Sequence, residues 1–165
     1  MDDDKNINNN ENSAAEGITR LDFIRELIAD CRYDDAMEML GIATEEEPDN
    51  VDYNYELARI FMEMGNYSSA ISNLELVLEK TQSSLLYFML AEAYEADNEI
   101  DKAIGTYLKA TMMNENFPFA YKKLGMLFMA RGDMESAREH FEDYIKLDIA
   151  EDEKESVKKI LERIK

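Results

Sequence analysis

The chain has 165 residues, 45% of them hydrophobic, with 37 acidic against 18 basic side chains and a formal net charge of −19. That acid excess repels a phosphate backbone and argues against a nucleic-acid partner. A single cysteine, Cys31, rules out an intramolecular disulfide. No apolar run of the roughly 18 residues needed to cross a bilayer is present, so no membrane span is expected.

In chain order, residues 1–16 come first. They are polar, acidic and Asn-rich, and Ile7 is the only large aliphatic between Met1 and Ile18. Such a segment buries too little surface to offset its ordering entropy, which predicts a disordered tail. It also lacks the apolar stretch of a signal peptide, so the expected location is cytoplasmic. From Gly17 a helical period begins: Leu21, Ile24, Leu27 and Ile28 share one face.

Short breaks then recur at Cys31-Arg32-Tyr33, Gly65-Asn66-Tyr67, Asn98-Glu99-Ile100 and Gly132-Asp133-Met134. Gly and Asn accept the left-handed conformation that ends a helix; Cys31 is the exception. Longer breaks fall at Glu45–Asn50, Thr81–Ser84 and Asn114–Pro118, the last with a proline suited to a helix start. A small alanine follows each short break, at Ala36, Ala70, Ala103 and Ala137, spaced 34, 33 and 34 residues apart. Four helix–turn–helix units are therefore predicted, at about 17–50, 51–83, 84–117 and 118–151. A last helix, about 152–165, carries Val157, Ile160, Leu161 and Ile164 on one stripe and is expected to cap the array.

The third unit holds Tyr87, Leu90, Ala91 and Tyr94, then Ala103, Tyr107 and Ala110. The fourth holds Tyr121, Leu124, Gly125 and Phe128, then Ala137, Phe141 and Tyr144. The second holds Leu57, Ala58 and Phe61, then Ala70, Leu74 and Val77, while the first keeps Ala36, Leu40, Ala43 and Pro48. This pattern resembles the tetratricopeptide repeat (TPR). The resemblance implies an all-α fold, a right-handed α-solenoid of helix–turn–helix repeats, over residues 17–165. It also implies a concave groove lined by the first helix of each repeat, which receives segments of partner proteins.

Carried onto this chain, the groove positions are Tyr55, Arg59 and Met62 with Asp52 in the second repeat, and Leu85, Phe88, Glu92 and Glu95 in the third. The fourth supplies Phe119, Lys122, Met126 and Met129, and the first Leu21, Arg25 and Ile28. The aromatic and Met side chains suit a protein or peptide partner with an apolar or amphipathic segment, and the net negative charge suits a basic one. The carboxylate clamp of one TPR subclass is missing: the matching positions hold residues such as Leu21, Arg25, Tyr55 and Glu56. Small acidic TPR chaperones of type III secretion are similar in length and charge and form an alternative. Self-association into a homodimer is another.

Catalysis is not expected. His140 and Cys31 lie in different repeats, which leaves no nucleophile–base pair. No phosphate loop, zinc ligand set or EF-hand pattern occurs, so neither cofactor nor metal is expected.

Overall fold

The computed structural model describes residues 19–164, which form nine α-helices and no strand. The tail expected at residues 1–16 lies outside the described residues. The helices are α1 (Arg20–Ala29), α2 (Tyr33–Glu46), α3 (Val51–Glu63), α4 (Tyr67–Lys80) and α5 (Ser84–Ala96). They continue as α6 (Ile100–Met113), α7 (Pro118–Ala130), α8 (Met134–Lys146) and α9 (Glu151–Arg163). Helices α1 to α8 pair in sequence as four hairpins, each packed on the next, and α9 packs on α8. The result is an all-α solenoid of helical repeats.

Capping chemistry sets the helix ends. The Thr19 hydroxyl accepts from the Asp22 N–H at 3.1 Å while the Asp22 carboxylate accepts from the Thr19 N–H at 3.0 Å. This reciprocal pair starts α1. Side chains of Asn50, Asn66, Ser83 and Asp133 accept first-turn N–H groups of α3, α4, α5 and α8. Pro118 opens α7 at a position where no N–H is needed.

Every hairpin turns on one left-handed residue: Cys31 (φ 58°), Gly65 (φ 72°), Asn98 (φ 63°) and Gly132 (φ 80°). At the first turn the Cys31 N–H donates to Ile28 O and the Arg32 N–H to Leu27 O. The same pair of bonds recurs at the other three turns, satisfying carbonyls at each helix end. Cys31, irregular in sequence, thus takes the glycine conformation, with a side chain that fits it less well.

Small residues set the helix separations. Ala36, Ala58, Ala70, Ala91, Ala103 and Ala137 are fully buried. A Cβ added to Gly125 would sit 2.6 Å from the ring of Phe141, itself fully buried. Helices α7 and α8 therefore meet where only hydrogen fits. At the carboxyl end, Val157 and Ile164 bury against Phe141 and Tyr144. The Arg138 guanidinium donates to the Ile164 carbonyl, and the Tyr144 hydroxyl donates to Glu153 at 3.0 Å. Burial and that bond push the Tyr144 pKa up to about 12. In this way α9 covers apolar surface that the last hairpin would leave open.

Candidate protein-binding face

The first helices of the hairpins, α1, α3, α5 and α7, form one layer, and residues four apart on each share a face. Tyr55 and Arg59, Phe88 and Glu92, and Lys122 and Met126 are such pairs. The layer differs along its length.

At the amino-terminal end lies a carboxylate held by two guanidinium groups. Glu56, 1% exposed, accepts from Arg25 Nε at 2.7 Å and from an Arg59 terminal N–H at 2.7 Å. Burying a carboxylate is costly without partners of this kind. The bond to Glu56 holds the Arg25 pKa above its ordinary value, and Asp52 adds a longer contact at 3.5 Å. The Arg59 guanidinium also lies 6.0 Å from the centre of the Tyr55 ring. Both arginines line a cleft of about 470 Å³, with Ile28, Met62, Glu63, Met89 and Glu92 among its other walls.

A second ionic cluster joins α5 and α7. Lys123 Nζ is 3.0 Å from Glu95 and 3.7 Å from Glu92. Glu95 also accepts from the buried Tyr107 hydroxyl at 2.7 Å. Burial raises the pKa of Glu92, an effect that Lys123 opposes.

The amino-terminal ends of the same two helices, α5 and α7, are aromatic. Phe88 meets Phe117 edge-on at 5.2 Å between ring centres, and lies 5.4 Å from Tyr107 and 6.3 Å from Phe119. Phe117 and Phe119 are 6.1 Å apart, again edge to face. Phe88 and Phe117 rest partly buried on the central core, whereas Phe119 is 63% exposed. Leu85 and Met126, on the same two helices, are 52% and 42% exposed.

The groove positions expected from the sequence thus separate into groups. Arg59, Met62 and Glu92 share the cleft, with Tyr55 packed beside Arg59. Phe88 and Phe119 join in the ring cluster. Leu85 and Met126 stand exposed, while Lys122 turns to the Tyr144 ring at 5.7 Å and Met129 packs on the terminal core. In the first repeat Arg25 reaches the cleft, Ile28 is mostly core and Leu21 packs beside it. Sequence reasoning left Glu56, Lys123 and Phe117 outside the face. The Glu56–Arg59 spacing of three residues was a usable signal for the first. Nothing local marks Lys123 or Phe117, whose partners lie on other helices.

Among the described residues no group of three or more His, Cys, Asp or Glu side chains is placed to hold a metal ion. His140 stacks on Phe128 at 5.3 Å between α7 and α8, whereas the Cys31 sulfur receives a 3.9 Å contact from the Tyr33 hydroxyl in the first turn. Among the described residues no helix is long and apolar enough to cross a membrane.

Two family models, each described as a tetratricopeptide repeat, match residues 27–90 and 88–153. No curated protein matches the chain significantly. Among solved structures, a crystal structure of MamA superposes with a TM-score of 0.72 at 24% identity, covering 77% of this chain and 75% of that one. MamA from Desulfovibrio magneticus RS-1, residue 41 to the end, gives 0.73 at 21% identity, covering 78% and 73%. YrrB, described as a TPR protein with an unusual peptide-binding site, gives 0.70 at 19% identity, covering 78% and 67%. These likenesses are in fold. The two repeat models together span residues 27–153, and the chain belongs to the tetratricopeptide repeat family.

Proposed function

We propose that this chain is a non-catalytic, cytoplasmic adaptor that holds an apolar or amphipathic segment of a partner protein against its first-helix layer. The observation that carries this reading is the aromatic cluster. Phe119 and Leu85 present exposed apolar surface beside Phe88 and Phe117, which are anchored in the core, and Met126 is exposed two turns further along the helix of Phe119. Exposed apolar groups gathered above a rigid base are how interaction sites are usually built. Membership of a family that serves protein interaction supports the same reading, as does the peptide-binding site described for YrrB.

The anchors are Phe119, Leu85 and Met126, with Phe88 as their base. Phe119→Glu combined with Leu85→Glu tests this. Partner capture from native lysate should be lost while the helical circular dichroism spectrum and unfolding midpoint are kept. Capture that survives both changes moves the binding surface elsewhere. Phe88 is a poorer test position, because its packing on Tyr107 makes a charge there destabilising.

A further inference from the structure

The acid excess of this chain is not spread evenly over its surfaces. Helix α2 alone carries Asp34, Asp35, Glu38, Glu45 and Glu46 with no base, and all five are exposed. The connectors add Glu47, Asp49, Asp97, Glu115 and others. The first helices, by contrast, carry five basic and seven acidic residues among them, close to balance in a chain of net charge −19.

Most of the charges on that face are also engaged with one another, Glu63 in the cleft and Lys122 over the Tyr144 ring standing outside these ion pairs. Arg25 and Arg59 share Glu56, and Lys123 spans Glu92 and Glu95. A charged side chain seeking Arg25, Arg59, Glu56 or Glu92 in the cleft would have to compete for groups already paired. One of them, the Glu56 carboxylate, is buried, and stripping a partner from a buried charge is strongly unfavourable. On α5 and α7 the ring cluster, with Leu85 and Met126, still has apolar surface to cover.

We infer that the face selects an uncharged segment, bearing an aromatic or long aliphatic side chain for the Phe88–Phe117–Phe119 cluster, and that the acidic outer surface plays no part in capture. This rests on the function proposed above and narrows its ligand. It replaces a basic partner, the choice that net charge alone suggests, with a neutral one.

The test is selection of a random peptide display library on the intact chain, run in parallel at about 50 mM and about 500 mM NaCl, a range over which surface electrostatics are largely screened. The expected winners lack net charge, contain an aromatic or aliphatic pair, and change affinity by less than about twofold between the two salts. Phe119→Ser should weaken them by about tenfold or more. Enrichment of Lys- and Arg-rich peptides that are lost at high salt overturns the inference in favour of the acidic surface. Acidic winners that depend on Arg25 and Arg59 overturn it in favour of the cleft; in both cases peptide binding itself stands. No enrichment over the Phe119→Ser variant overturns the inference and the proposed function together. So does a dimer in sedimentation that Phe119→Ser dissolves, since the rings then meet a second copy.

Discussion

Two patches of the first-helix layer differ: the one on α1 and α3 is closed on itself and the one on α5 and α7 is open. Around Glu56 a buried carboxylate and two half-exposed guanidinium groups satisfy one another, so the charges there serve the fold. Around Phe88 the inner rings serve the fold, but Phe119 extends beyond it with 63% of its surface in water. The contrast teaches that conspicuous charge in a groove need not be binding charge. What decides is whether a group's partners lie within the protein or are still to come.

The most severe way to break this contrast is to remove both cations from the closed patch. Arg25→Ala with Arg59→Ala leaves Glu56 buried and unpaired, and should lower stability by about 3–5 kcal/mol in denaturant unfolding. Glu56→Gln should cost less, since the amide oxygen still accepts from either arginine while no unpaired charge is left inside. A smaller loss is expected where α7 meets α8. Gly125→Ala drives a methyl into Phe141 and should cost about 1–3 kcal/mol, read as a lowered unfolding midpoint. Next comes a gain: Cys31→Gly relieves a side chain from its left-handed turn and should add about 1 kcal/mol, offset in part by glycine's freedom in the unfolded chain.

His140 supplies a weaker, pH-dependent effect. Burial lowers its pKa in the fold, against a smaller opposing pull from Glu139 and Asp143. The unfolded chain, with an imidazole pKa near about 6.5, therefore takes up a proton before the folded chain does. This contribution to stability is whole above that value and is lost as pH falls through it toward the folded pKa. His140→Phe should keep the stack on Phe128 and flatten that part of a stability–pH profile; an unchanged slope would assign it to the carboxylates. The smallest effect sharpens the comparison most. Phe119→Ser should shift stability by no more than about 0.5 kcal/mol, because the ring is already largely in water. Its loss should be felt in binding alone.

Much of the architecture was legible in the chain. The alanines at a fixed period, the apolar stripes and the turn residues are local or periodic signals, and each reports the packing of a unit on its neighbour. Gly125 was readable as a close-approach position because a repeat demands a small residue there. Cys31 was readable as a turn position from its place in the repeat but not from its residue type; its left-handed conformation goes with the two backbone bonds to Ile28 and Leu27.

For the candidate binding face, register in the sequence gives which side chains the first helices offer: Tyr55, Arg59, Phe88, Glu92, Phe119, Lys122 and Met126. Tertiary structure decided which of those groups are already used. Arg59 is drawn to Glu56 within its own helix, where Arg25 arrives from 31 residues earlier, and Lys123 finds Glu95 across a gap of 28. Lys122 turns to Tyr144, and Phe117 closes on Phe88 from a connector. A periodic pattern encodes the face a residue occupies, but pairing depends on distances between helices far apart in sequence. Only packing sets those distances.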